Sequence, residues 1–181
     1  GMNVSFCNAG PVLFGCATDV PPLMKYVDKY GINLEFGHNL TKIDGASKTA
    51  WFKVTKEGEE PQMIERKFDM IHVCPPQCAP DFISKSPLAN AGGWVDVDQE
   101  TLQHTGFPNV FSLGDVASTP NAKTAAAARK QAPIVAQNVK AFMAGRELKP
   151  LYDGYGSCPL TVEKGKIILA EFGYGGKVMP S

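Results

Sequence analysis

The residue types best suited to chemistry lie within positions 107–128. Apolar residues 110–113 precede Gly114-Asp115, and a run of alanines follows Lys123-Thr124. A strand that ends at a glycine and a carboxylate, followed by a loop and a helix N-terminus, gathers one carboxylate and several backbone N–H groups in one place. Such a site suits a ligand with hydroxyl and phosphate groups. The alternative is that Gly114-Asp115 forms only a turn, and the order of strand, loop and helix favours the ligand site.

Cys158 is the cysteine whose sequence surroundings favour reactivity. It lies in a glycine-rich segment just before Pro159, where a thiol can be held rigid and partly accessible, and a helix dipole or Lys123 would favour its thiolate. An inert, buried thiol is the alternative. The five cysteines are scattered, and the spacing of Cys74 and Cys78 does not fit C-x-x-C chemistry. The sequence therefore predicts neither a disulfide framework nor a metal site.

The elements that position these residues are visible as periodic patterns. Residues 94–97, 110–113 and 166–172 are typical of strands, and 123–144 of a long helix that Asn121 begins and Gly145 ends. The alanine-rich first half of this helix allows a backbone or a ligand to approach closely.

The N-terminal part of the sequence predicts a strand, a helix and then hairpins. Asp19 caps the helix, Pro21 and Pro22 lie in its first turn, and Gly31 ends it. The predicted strands are 3–8, 32–36, 41–43, 50–54 and a buried central strand at 68–73. His72 lies in the last of these, which favours a core histidine over an acid–base catalyst; His104 is the other acid–base candidate.

Composition indicates an ordinary globular α/β chain with two lobes. Of 181 residues, 44% are hydrophobic and 20% charged, and the 18 basic and 18 acidic residues cancel, so nothing attracts nucleic acid over a distance. No apolar run reaches the about 20 residues of a membrane span, so a soluble protein is expected. Residues 81–93, rich in proline and glycine, predict a linker between lobes at 3–80 and 94–181.

Two further stretches resemble one protein family. They are Gly92-Gly93-Trp94-Val95-Asp96-Val97-Asp98, continuing through Thr101-Leu102-Gln103-His104, and Tyr152-Asp153-Gly154-Tyr155-Gly156-Ser157-Cys158-Pro159-Leu160. Both resemble sulfide:quinone oxidoreductases, particularly the branch with the mitochondrial enzymes, and the resemblance runs from about residue 3 to about residue 174. It implies an incomplete Rossmann-like fold of two dinucleotide-binding domains, with 3–80 as the remainder of the NAD(P)-like domain and 94–181 as the C-terminal part of the FAD-binding domain.

The resemblance also implies residue roles. Asp115 would accept hydrogen bonds from the ribityl chain of FAD, and Gly114 would permit its close approach. The helix N-terminus at Lys123, Thr124 and Ala125 would lie toward the flavin ring, where its partial positive charge stabilises a reduced flavin. Cys158 would be one of two redox cysteines, with its partner upstream of this chain.

The sequence departs from the family pattern in one respect above all. It contains no G-x-G-x-x-G fingerprint for the FAD pyrophosphate, since Gly10, Gly15 and Gly31 lack that spacing. We therefore expect a fragment that is inactive alone and binds FAD weakly or not at all. The alternatives are a type II NADH dehydrogenase, for which the segment at Cys158 is a poor match, a flavocytochrome c sulfide dehydrogenase, or a non-catalytic module.

The expected partners follow from the same resemblance. Sulfide and quinone would be the substrates of the longer parent protein, a peripheral membrane protein that touches the membrane through a region beyond this chain. The apolar faces that the missing parts would cover predict a homodimer.

Overall fold

The structure is a computed structural model that describes residues 1–149 and 151–179. The chain divides into two units, Gly1–Pro75 and Pro76–Ser181. Their assignment as NAD(P)-like and FAD-binding domains stays a prediction. The mixed α/β architecture with antiparallel hairpins is as the sequence predicted.

The first unit begins with a strand, a helix and a parallel strand. Strand β1 (Val4–Asn8) pairs in parallel with β2 (Ile32–Phe36), and helix α1 (Val20–Tyr30) connects them. The helix starts after Asp19 with both prolines in its first turn. It ends at Gly31, whose φ of 61° is the left-handed conformation that glycine adopts without strain. This is the predicted element order.

Three antiparallel strands complete the first unit: β3 (His38–Asp44), β4 (Thr49–Val54) and β5 (Gln62–Lys67). The Asp44 carboxylate closes the first turn, because it accepts hydrogen bonds from Ala46 N–H and the Ser47 hydroxyl. Alternate residues of β4, namely Ala50, Phe52 and Val54, form the core of this meander.

The predicted central strand at 68–73 is wrong. Strand β5 ends at Lys67, and residues 68–73 have no regular secondary structure; the Met70 side chain is 86% exposed. A central strand needs a hydrogen-bonded neighbour on each side, and no described strand pairs with this segment. His72 is consequently exposed instead of lying in a core.

The second unit begins with a one-turn helix, α2 (Asp81–Ser84), inside the predicted linker. The predicted strands 94–97 and 110–113 do not form ladders. Val95, Val97 and Phe111 make isolated β-bridges instead. The side chains of Val95, Val97 and Ala117 are nevertheless buried together.

Helix α3 (Ala125–Met143) is the longest element of the chain. Its N-cap is Thr124, whose side chain accepts a hydrogen bond from Ala127 N–H; the predicted cap, Asn121, is wrong. Gly145 follows the helix with a φ of 63°, as predicted. One face of α3 carries Ile134, which packs with Leu102 and Tyr152.

A hairpin ends the described chain. Strands β6 (Gly156–Glu163) and β7 (Lys166–Phe172) pair antiparallel, and Cys158 lies opposite Ala170. Helix α3 packs against β6. Among residues 1–149 and 151–179, no helix combines the length and the apolar character that crossing a bilayer requires.

The Asp98 carboxylate supports a turn in this unit and gives it a pH dependence. Its Oδ1 accepts hydrogen bonds from Thr101 N–H, the Thr101 hydroxyl and Glu100 N–H, and these bonds hold its pKa below the ordinary 3.8. The turn is therefore stabilised fully above pH 3.8, and the stabilisation is lost as pH falls through the lower, folded-state pKa.

Asp98→Asn tests this pH dependence, because it replaces the carboxylate with a neutral acceptor. We expect the variant to be less stable than the wild type at pH 7 and the difference to shrink steadily below pH 3.8. Urea unfolding of the wild type and the variant, at pH 7 and again below pH 3.8, measures the difference in stability. A difference that is the same at low and neutral pH would show that the ionised carboxylate contributes nothing.

Candidate functional site

The turn at Gly114-Asp115 is held by a buried side chain of helix α3. Gly114 has a φ of 72°, and its N–H donates a hydrogen bond of 2.6 Å to Oε1 of Gln131, which is 1% exposed. A residue with a side chain at position 114 would have to adopt this left-handed backbone conformation, which costs about 1 kcal/mol or more. The turn is thus fixed, and the carboxylate of Asp115 is exposed at its tip.

Lys123 lies beside this turn and holds it from the other side. Its Nζ donates a hydrogen bond of 2.7 Å to Ala117 O and lies 4.1 Å from the centre of the Trp94 ring. Burial lowers the pKa of Lys123, while the nearby Asp115 raises it. An ammonium group has three N–H donors, so Lys123 can support the turn and still add positive charge near Asp115.

The N-terminus of α3 contributes backbone donors. Thr124 caps Ala127 N–H, and the N–H groups of Ala125 and Ala126 belong to the first turn, where no carbonyl of the helix can reach them. These donors and the positive end of the helix dipole favour an anionic or electron-rich ligand group. The alanines leave room for such a group to approach.

Cys158 lies in β6 with a half-buried side chain. Helix α3 packs both against the short 3-10 turn at Gly114–Val116 and against β6. The structure therefore places the predicted residues of the site, Gly114, Asp115, Lys123, Thr124, Ala125 and Cys158, in segments that all adjoin one helix. Their roles stay predictions.

The two acid–base candidates, His72 and His104, lie in different units of the chain. His104 uses both ring nitrogens in its own loop: Nδ1 accepts from the N–H groups of Gly106 and Phe107, and Nε2 faces Leu88 O at 3.1 Å. These bonds place the proton on Nε2. His72 is exposed in the first unit, with its Nε2 3.8 Å from Cys74 Sγ.

Sequence reasoning missed the buried polar residues that organise the site. Gln131 supports Gly114, and Asn121 and Tyr152 form a hydrogen bond of 2.6 Å. A glutamine on the buried face of α3, which also carries Ala127 and Ile134, was the available signal for Gln131. Asn121 and Tyr152 are 31 residues apart, so no local pattern could pair them.

The residues present fit part of a flavin dinucleotide. An exposed carboxylate beside a helix N-terminus suits the hydroxylated ribityl chain and the electron-accepting ring. No G-x-G-x-x-G sequence is present for the pyrophosphate. No group of three or more histidine, cysteine or acidic residues that could hold a metal ion occurs in the described part of the chain.

Solved structures with this backbone define the class of fold. The sulfide:quinone oxidoreductase of Aquifex aeolicus superposes with a TM-score of 0.74 over 98% of this chain and 43% of that one, at 17% identity. LpdA of Mycobacterium tuberculosis matches with a TM-score of 0.56 over 86% of this chain and 32% of that one, at 13% identity. The chain thus has part of the two-dinucleotide-domain fold of FAD/NAD(P)-binding flavoprotein oxidoreductases.

Several proteins of similar sequence are sulfide:quinone oxidoreductases. The mitochondrial sulfide:quinone oxidoreductase of Dictyostelium discoideum is 45% identical over 178 residues, and the mouse enzyme is 37% identical over 172. The chain is a homologue of sulfide:quinone oxidoreductases, and it spans 38% of the length of these relatives. No family model matches it.

A further structural neighbour belongs to a large assembly. A chain in the mitochondrial ATP synthase tetramer of Tetrahymena thermophila is 30% identical and superposes with a TM-score of 0.78 over 97% of this chain and 42% of that one. This neighbour shows that the same architecture also occurs within a multi-subunit complex.

Proposed function

We propose that this chain carries the ribityl-binding turn and one redox thiol of an FAD-dependent oxidoreductase that oxidises sulfide and reduces quinone. The observation that supports the proposal best is the fixed Gly114-Asp115 turn beside the N-terminus of α3, in a chain whose relatives are sulfide:quinone oxidoreductases. Because the chain spans 38% of those relatives, the complete activity belongs to a longer protein.

Each residue has a defined task in this proposal. Asp115 accepts hydrogen bonds from ligand hydroxyls, and Lys123 together with Trp94 keeps the turn in place. The first turn of α3 stabilises negative charge on the ring. FAD supplies the capacity to take two electrons and pass them on.

Cys158 takes part in the sulfur chemistry. In the overall reaction a thiol and hydrosulfide become a persulfide, releasing one proton and two electrons, and quinone takes up the two electrons and two protons to become quinol. Cys158 is one of the two thiols that this chemistry uses, and the other lies outside this chain. The chain alone is therefore expected to be inactive in turnover.

FAD affinity tests the proposal. We expect the purified chain to bind FAD weakly in a fluorescence titration and Asp115→Ala to raise the Kd about tenfold or more, since hydrogen bonds to a charged group are worth about 1.5–3 kcal/mol. Asp28→Ala is the matched control, because Asp28 is an exposed aspartate on α1 and its loss changes the net charge equally. We expect its Kd to equal that of the wild type.

Two results would contradict the proposal. A folded chain that shows no flavin binding at any accessible concentration lacks an assembled site. An Asp115→Ala variant with the wild-type Kd would mean that FAD binds without the carboxylate, and the role of Asp115 would be withdrawn.

A second candidate function is that of a non-catalytic module in a larger assembly. The observation that favours it is the Tetrahymena chain, which occurs in an ATP synthase structure and has a high structural similarity. The absence of a G-x-G-x-x-G sequence agrees with this role. The same FAD titration separates the two functions, because a module of this kind folds without binding flavin.

The proposal also includes self-association of this chain and membrane attachment of the longer protein. Within the first unit Phe6 and Met63 are 44% and 59% exposed, and within the second unit Phe82 and Ile167 are 77% and 56% exposed. Exposed apolar side chains of this size are commonly covered by a partner, and a homodimer is one way to cover them. Peripheral membrane attachment is proposed only for the longer protein.

A further inference from the structure

Tyr152 is a buried tyrosine whose hydroxyl is hydrogen-bonded. The residue is 2% exposed. Its hydroxyl donates to Tyr155 O at 2.9 Å and accepts from Asn121 Nδ2 at 2.6 Å. The phenol therefore uses its hydroxyl both as a donor and as an acceptor. The Gln131 side chain lies close enough to this hydroxyl to lower its pKa, against the larger effect of burial.

These partners belong to three different segments of the proposed site. Gln131 supports the Gly114 turn through its Oε1. Asn121 lies three residues before the helix cap Thr124, and Tyr155 lies three residues before Cys158. One hydroxyl therefore connects the ribityl-binding turn, the entry to α3 and the strand that carries the thiol.

The Tyr152 ring is held firmly enough to act as a fixed connection. It contacts the Tyr174 ring edge to face at 5.7 Å, and the Tyr174 hydroxyl donates to Gln99 O at 2.6 Å. Gly154 has a φ of 82°, and any side chain there would overlap the Tyr174 ring. Burial raises the pKa of Tyr152 to about 12, so its hydroxyl keeps the proton that it donates to Tyr155.

We propose that Tyr152 is a positioning residue that fixes the Cys158 strand relative to the N-terminus of α3 and the Gly114 turn. The inference rests on the proposed function for its catalytic meaning, because it explains how the thiol and the flavin-binding turn keep one geometry. The hydrogen bonds themselves do not depend on that function. Loss of the hydroxyl removes the partner of the half-buried Asn121 Nδ2 and Tyr155 O, which favours local opening of the segment.

Tyr152→Phe removes this hydroxyl and little else. We expect Cys158 to react with iodoacetamide about tenfold faster, measured by mass spectrometry of the peptide that contains it. Amide hydrogen exchange should accelerate at residues 155–158 and remain unchanged in the middle of α3, which distinguishes a local effect from general destabilisation. Tyr26→Phe on α1 is the control, and neither rate should change in it.

A double-mutant cycle with Asn121→Ala completes the test. Because both substitutions break the same contact, the double variant should react no faster than Tyr152→Phe alone. If Tyr152→Phe does not fold, Asn121→Ala carries the test, with an expected increase of several-fold. Folded variants whose Cys158 reacts within twofold of the wild-type rate, or whose effects multiply, would overturn the proposal.

The outcome separates the positioning role from the proposed function. Faster alkylation in a chain that binds no FAD would support the role of Tyr152 and contradict the flavin site. Unchanged alkylation in a chain that binds FAD through Asp115 would contradict only the role of Tyr152.

Discussion

Asn138→Leu is expected to lower the free energy of unfolding of the Pro76–Ser181 unit by about 2–4 kcal/mol. The Asn138 side chain is 1% exposed and makes three hydrogen bonds. Its Nδ2 donates to Thr101 O and Lys149 O, and its Oδ1 accepts from Lys149 N–H. Leucine has a similar volume but removes three hydrogen bonds, each of which contributes about 0.5–1.5 kcal/mol.

Urea denaturation followed by circular dichroism measures this loss. Gln137→Leu is the matched control, since Gln137 is the neighbouring residue on α3 and is exposed. That substitution should change stability by about 0.5 kcal/mol at most. A loss below about 1 kcal/mol for Asn138→Leu would mean that water replaces the amide contacts, and that Asn138 is not a structural connection between α3 and the loops at 101 and 149.

The elements with local signals were predictable from the sequence. Gly31 and Gly145 both follow a helix, and both have the left-handed φ that makes glycine the preferred residue there. The hairpin around Asp44 formed where a short polar run separates two alternating segments. In each case a few neighbouring residues determine the structure.

The elements that depend on distant partners were not predictable in this way. Residues 68–73 have the composition of a buried strand, yet a strand also requires neighbours, and none is present among the described residues. Asn121 is a good helix cap by type. It does not cap α3, because the helix begins three residues later, after Thr124. The Asn121 amide donates to the hydroxyl of Tyr152.

In the candidate site, too, some residues were predictable from their sequence neighbours and others depend on distant partners. The turn at Gly114, the exposed Asp115 and the helix start at Thr124 follow one another in the sequence, so their arrangement was predictable. The side chains that hold them, Gln131 and Tyr152, lie farther along the chain and are recognisable only once the fold is known. Local sequence thus indicated the residues of the proposed site and gave no indication of the side chains that support them.

Substitution of Leu102 is expected to have the second large effect on stability, because the side chain is buried and the backbone is strained. The residue is 0% exposed and packs with Ile134 and Tyr152. Its φ is 62°, a conformation that costs a residue with a side chain about 1 kcal/mol or more. Leu102→Ala is expected to destabilise the unit by about 3–5 kcal/mol, since it leaves a cavity in a close-packed core.

Leu102→Gly separates the strain from the cavity. At an ordinary position glycine is less stable than alanine by about 0.5–1 kcal/mol, because it loses more backbone freedom on folding. At position 102 the order should reverse, with glycine more stable than alanine by up to about 1 kcal/mol, because glycine relieves the left-handed strain. Ile134→Ala and Ile134→Gly are the controls in the same cluster, and on helix α3 they should keep the ordinary order. If alanine proves more stable than glycine at both positions in urea denaturation, the backbone at Leu102 stores no strain, and packing alone determines its contribution.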